Sequence, residues 1–168
     1  MQKNKGDFMS STVKRLLTFF IGVPLVLAFV YFDIYNHLPL NILIFAFSVF
    51  GSIEFYNMVS TKFSLFPKPL IVTFSCVLPI ISYIFSLIGL PYDACIMIFV
   101  LEIALLMGIE ALTSKTFENS FTKIASSTLI IFYCGFIFSF LQRLTVVENS
   151  KYVISLFLVL VFLCDSAA

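Results

Sequence analysis

An all-α, polytopic integral membrane helical bundle is the fold class this sequence predicts, and three observations predict it. Of 168 residues, 61% are hydrophobic and 11% charged, against roughly 25% charged in soluble domains. Phenylalanine occurs 22 times, more apolar side chain than a soluble domain of this size can hide. The apolar residues also gather in runs near the roughly 20 residues that a spanning helix needs. These runs are apolar on every face, which rules against the alternating strands of a barrel. A net charge of +1 leaves no footprint for nucleic acid.

The elements follow in order. The first run covers residues 16–32. Lys14 and Arg15 precede it as they would a signal peptide, but no small-residue cleavage pattern follows and more spans come after. It therefore reads as a retained span, with Pro24 as a kink site. The second run, 38–57, carries Glu54 near its end and a small face at Ser48, Gly51 and Ser52. The third is 70–90, and the fourth, 94–112, is interrupted by Glu102 and Glu110. The fifth is 124–141, and a sixth starts near 152 and is still apolar near 168. Short connections with Pro39 and Pro91 as breakers separate them. The expectation is one helical membrane region over 1–168, with five complete spans and an incomplete sixth.

Lysine and arginine set the orientation. Lys3, Lys5, Lys14, Arg15, Lys62, Lys68, Lys115 and Lys123 fall on one side, and only Arg143 and Lys151 on the other. The N-terminus is thus predicted to be cytoplasmic, in a bacterial-type inner membrane, with Asp165 near the cytoplasmic end of the sixth run. Arg143 and Lys151 break the rule in the third outer loop. The cysteines at 76, 95, 134 and 164 show no C-x-x-C spacing and read as buried thiols acting as small hydrophobes. His37, the single histidine, reads as a plain turn residue.

A charge inside a span costs about 2.5–3.5 kcal/mol on insertion scales, so the acids need a reason. Glu102 and Glu110 lie about 80° apart around their helix and roughly 12 Å along it, on one broad face. Two readings fit Glu102: a buried acid in a polar cavity, or a protonated acid bonded to a neighbouring helix. Glu110 reads as interfacial. Glu54 is either a solvated boundary acid or, with Glu102, part of a buried polar site. Ala104 and Gly108 form a small-x-x-x-small pair that permits close helix contact. A transporter or channel subunit would use Glu102 and Glu110 as an ion or proton path. The inverted repeat typical of that class is not seen. A non-catalytic membrane scaffold is a further alternative.

Three stretches in order resemble one family: "KRLLTFFIGVP" at Lys14–Pro24, "GSIEFYNMVS" at Gly51–Ser60, and the terminal "VFLCDSAA". They are similar to the N-terminal portion of phosphatidate cytidylyltransferases, also called CDP-diacylglycerol synthases. Ala167 stands where glycine is common in that family. The resemblance implies a nucleotidyltransferase of phospholipid biosynthesis, with CTP and phosphatidate as substrates and CDP-diacylglycerol and pyrophosphate as products. It implies Mg²⁺ as cofactor, with Asp165 as a metal ligand and Arg15 and Ser166 as substrate-binding residues. No residue is singled out as catalytic. A homodimer is carried as a partner expectation beside the lipid bilayer. The family's C-terminal catalytic region has no counterpart in these residues, so the chain is expected to be inactive alone.

Overall fold

The computed structural model describes residues 22, 24–32, 34–35, 37–114 and 118–167, with only the backbone described for 165–167. Every regular element among them is helical. We number the helices α1 (Leu38–Val59), α2 (Lys68–Ile88), α3 (Asp93–Thr113), α4 (Ser120–Ile131), α5 (Ile137–Arg143) and α6 (Ser150–Ala167). A π-helical turn, Phe132–Phe136, joins α4 to α5, and a 3₁₀ turn, Leu144–Val146, follows α5.

Four helical segments are long and apolar enough to cross a membrane: Leu38–Val59, Lys68–Ile88, Asp93–Thr113 and Ser120–Val146. They match the second to fifth predicted runs, and the fifth is longer than expected because the helix starts at Ser120 and a 3₁₀ turn carries it on to Val146. The sixth run is a shorter apolar helix, Ser150–Cys164. Of the first run, residues 24–31 are helical.

The chain divides into two compact units. One takes residues through Leu40 together with those from Glu148 onward. Here His37 lies in a turn, as expected, but it is not a plain residue of it. Its ring is buried, with Nδ1 3.1 Å from the Val30 carbonyl oxygen and Nε2 3.0 Å from the Ser150 hydroxyl. A positive φ of 57° turns it inward, and its two ring nitrogens join the first described helical stretch to the start of α6. Sequence spacing could not show this, because Ser150 is far away along the chain.

The other unit is Asn41–Val147. Its core is Phe66, Ile71, Leu78, Leu106, Ile130 and Ile131, all buried. The position of α2 in it follows from a proline. Pro79 lies inside α2 and has no N–H to give, so the carbonyl four residues earlier, Ser75, loses its helical partner. The Ser48 hydroxyl of α1 sits 3.0 Å from that carbonyl and 2.6 Å from the Cys134 carbonyl in the π turn, donating between them. A π turn widens the helix by one residue and disturbs its ladder, and Gly135 within it lies against Ser75. A Cβ at Gly135 would stand 2.7 Å from the Ser75 oxygen and 3.0 Å from its Cα. The close helix contact is therefore here, between α2 and the π turn. It is not at Ala104 and Gly108, both of which are exposed. They lie about 200° around α3 from Glu102 and Leu106, and Glu102, Leu106 and Glu110 form the buried face.

At the far end α2 closes on Gly89, whose φ of 77° is the left-handed cap that glycine favours. Three of the four cysteines are buried as expected; Cys164 is exposed. Packing of α3 on α4 and the π turn is largely aromatic. Phe99 stacks on Phe136 at 4.6 Å between ring centres, and Phe136 meets Phe140 edge-on at 5.1 Å.

Candidate functional site

The loops after α1 and α3 bring three cations and one acid to the same end of the Asn41–Val147 unit. Lys68 starts α2, and its ammonium donates to Asn57 Oδ1 at 3.0 Å. The Tyr56 hydroxyl donates to the Phe66 carbonyl at 3.0 Å, and the Phe66 N–H to Ser127 Oγ at 3.2 Å. These bonds hold the loop down onto α1 and α4. Lys123, in the first turns of α4, lies 4.4 Å from the centre of the Phe66 ring, a cation–π distance. Lys62 stands exposed in the same loop.

Glu110 is the acid of this end, and near the close of α3 it is buried among partners. Its side chain is buried and accepts three donors. Lys123 Nζ approaches Oε2 at 2.5 Å, and the hydroxyls of Ser114 and Ser120 each donate to Oε1 at 2.7 Å. Charge-assisted bonds of this kind are the strong ones. The carboxylate thus fastens the end of α3, the loop after it and the start of α4. A low dielectric strengthens such a pair only when its geometry is complete, as it is here. The lysine at 123 is legible from sequence as a loop cation, but its pairing with Glu110 depends on α3 and α4 running antiparallel.

Glu102 is different. It is 4% exposed, and neither carboxyl oxygen has a hydrogen-bond partner among the described residues. The pairs Glu110–Ser120 and Phe99–Phe132 set the antiparallel register of α3 and α4. Moving from 110 back to 102, and from 120 forward to 128, places Glu102 level with Thr128. The Thr128 hydroxyl, on the same stripe of α4 as Ser120 and Phe132, is also buried without a partner. Two orphaned polar groups at one level favour the polar-cavity reading of Glu102 over a direct bond to a neighbouring helix. Buried unsatisfied groups of this kind call for a water, an ion or a functional role.

Glu54 does not join Glu102. It is exposed, because the buried face of α1 runs through Asn41, Ile44, Ser48 and Ser52, and position 54 is about 200° around from Ser52. Arg15 lies outside the described residues. Asp165 and Ser166 fall in the last turn of α6, and their side chains lie outside the description. Two features were not read from the sequence: Pro79 four residues after Ser75, and Gly135 in an otherwise bulky run. Both are visible there as helix-breaking residues inside a span.

No curated protein and no solved structure matches the chain. A family model described as the cytidylyltransferase family matches residues 6–168.

Proposed function

The chain belongs to the cytidylyltransferase family, and from that premise we propose that it forms part of a membrane nucleotidyltransferase making CDP-diacylglycerol and pyrophosphate from CTP and phosphatidate. The family match over residues 6–168 is the observation that carries this reading. The four helices long enough to cross a membrane support it, since one substrate is a lipid whose phosphate lies where spans end. The end bearing Lys62, Lys68 and Lys123 supports it too. Both reactants are anions, and like charges such as Lys62 and Lys68 raise the local concentration of their counter-ion, while Lys123 is already paired with Glu110. By the lysine and arginine distribution this end faces the cytoplasm, where CTP is found.

In the proposed reaction a phosphate oxygen of phosphatidate attacks the α-phosphorus of CTP. The bond from that phosphorus to the bridging oxygen of the β-phosphate breaks, and pyrophosphate leaves with the electron pair. Lys68 and Lys123 would hold anionic oxygens near the headgroup level, each already oriented by Asn57 and by Glu110 with Phe66. Arg15 and Ser166 are proposed as further substrate contacts, and Asp165 as a ligand to Mg²⁺, on the family resemblance. The described residues do not themselves fit a Mg²⁺ site. No three His, Cys, Asp or Glu side chains among them come together for a metal, and Glu110 already accepts three donors.

The test is an assay of membranes expressing the gene that encodes these residues, given Mg²⁺, labelled CTP and phosphatidate. Labelled CDP-diacylglycerol above the level of vector membranes supports the reading. Transfer only to a different phosphorylated acceptor would replace phosphatidate as substrate. Unchanged CTP with every acceptor, in membranes carrying the whole open reading frame that contains these residues, would remove the enzyme reading and leave the transporter and scaffold alternatives.

A further inference from the structure

At the opposite end of α3 from Glu110, the Asn41–Val147 unit carries a half-open cavity of about 300 Å³. Phe85, Leu90, Val146 and Val147 form apolar walls, and Arg143 and Tyr92 line it as well. The Arg143 guanidinium lies 4.8 Å from the centre of the Tyr92 ring. That ring is fixed on both sides: its hydroxyl is 2.7 Å from Ser139 Oγ, and its face packs on Phe140 at 5.0 Å. Burial pushes the Tyr92 phenol up from its ordinary value, with the Ser139 bond opposing, so the phenol stays neutral at physiological pH and provides no counter-charge. Among the described residues no carboxylate pairs with Arg143, in contrast to Lys123 with Glu110.

An arginine without an acid, held by an aromatic face over an apolar cavity, is suited to one kind of guest. A guanidinium presents a planar fork of donors that matches a phosphate and is weakly hydrated. The cavity is at the lower end of the size range of ligand pockets. It has room for a headgroup and its first methylenes. Its place, where the spanning helices α2 and α3 meet their connecting turn, is the level of lipid headgroups. Arg143 is also one of the two cations that break the charge bias on this side of the membrane, so a binding role would account for a residue that topology alone does not.

We propose that this cavity is a binding site for an anionic phospholipid of the adjacent leaflet, with its phosphate on Arg143 and its first methylenes against Phe85, Leu90 and Val147. The site does not depend on the cytidylyl-transfer reading.

The chain contains no tryptophan, so Val147→Trp places a single reporter on the cavity wall. The full chain carrying it is reconstituted in nanodiscs of unlabelled phosphatidylcholine and titrated with brominated phosphatidylglycerol or brominated phosphatidylcholine. The expected result is quenching by the anionic lipid at about one-tenth of the concentration needed for the zwitterionic one. Adding Arg143→Gln should abolish that ratio, and Arg143→Lys should leave part of it. Equal quenching by the two lipids would overturn the proposal, as would an unchanged ratio in Arg143→Gln. Inorganic phosphate at low millimolar concentration that fully reverses the quenching would make the guest a free anion and overturn the lipid assignment. Should Arg143→Gln fail to fold, the Arg143→Lys protein decides: it must show a reduced ratio.

Discussion

Two helix contacts in the Asn41–Val147 unit solve the same problem in opposite ways. Where α2 meets the π turn, backbone groups released by Pro79 and by the extra π residue are taken up by one hydroxyl, that of Ser48. No side chain separates the helices there, because Gly135 has none. Where α3 meets α4 and the π turn, aromatic rings fill most of the contact and charged and polar side chains stand among them. At their end Glu110 is fully satisfied, while Glu102, two turns deeper, is not. The first contact is closed and cannot admit anything. The second has spare polar capacity in the middle of an apolar bundle, which is the usual mark of a functional position in a membrane helix. Stability and function are thus separated between the two contacts.

Substitutions can break or sharpen that contrast. The largest effect is expected at the closed contact. Gly135→Ala puts a methyl 2.7 Å from the Ser75 oxygen, so backbone must move, and unfolding in mild detergent should show a loss of about 2–3 kcal/mol. A Gly135→Ala protein with the wild-type melting temperature would mean that α2 and the π turn are not in contact. Lys123→Met comes next. It keeps the packing on Phe66 but leaves the buried Glu110 with two hydroxyl donors, and a loss of about 1.5–2.5 kcal/mol is expected. The companion Lys123→Met, Glu110→Gln protein should recover much of it, and no recovery would show that the ammonium acts mainly on the aromatic ring. The smallest effect has the opposite sign. Glu102→Leu removes two unsatisfied oxygens and should stabilise the protein by about 1–2 kcal/mol. A loss of stability instead would show that a bound water or ion between Glu102 and Thr128 already satisfies the carboxyl.

Much of this was legible in the sequence. The four central runs were placed to within a few residues of the helices, because a span must be long and apolar and little else satisfies its backbone in lipid. That Glu102 and Glu110 share a buried face followed from helical periodicity. The family was legible as well, from three short stretches of which the proline, the acid–aromatic pair and the Asp-Ser-Ala-Ala end are the informative parts. What the acids touch was not legible. Glu110 and Lys123 are separated by a loop, and their meeting depends on the angle at which that loop returns the chain. His37 failed for the same reason: its second partner, Ser150, is on a distant segment. Ala104 and Gly108 met the motif for a close contact but sit on the wrong side of α3, since a motif has no knowledge of which face is buried. Gly135, with no such motif, makes the contact because Pro79 and the π turn leave unpaired carbonyls beside it.

By itself, the sequence determined that this is a helical membrane protein of the cytidylyltransferase family, where its central spans run and which acids lie within them. Those properties depend on composition and on neighbours along the chain. Only the tertiary structure decided that Glu110 is a fastened ion pair, that among the described residues Glu102 has no partner, that α2 and the π turn meet through a glycine, and that Arg143 stands over a cavity with no acid among the described residues to answer it. Each of these depends on which groups from separate helices share one small volume out of reach of water. In that volume a polar atom is either matched by a neighbour or left costly and available.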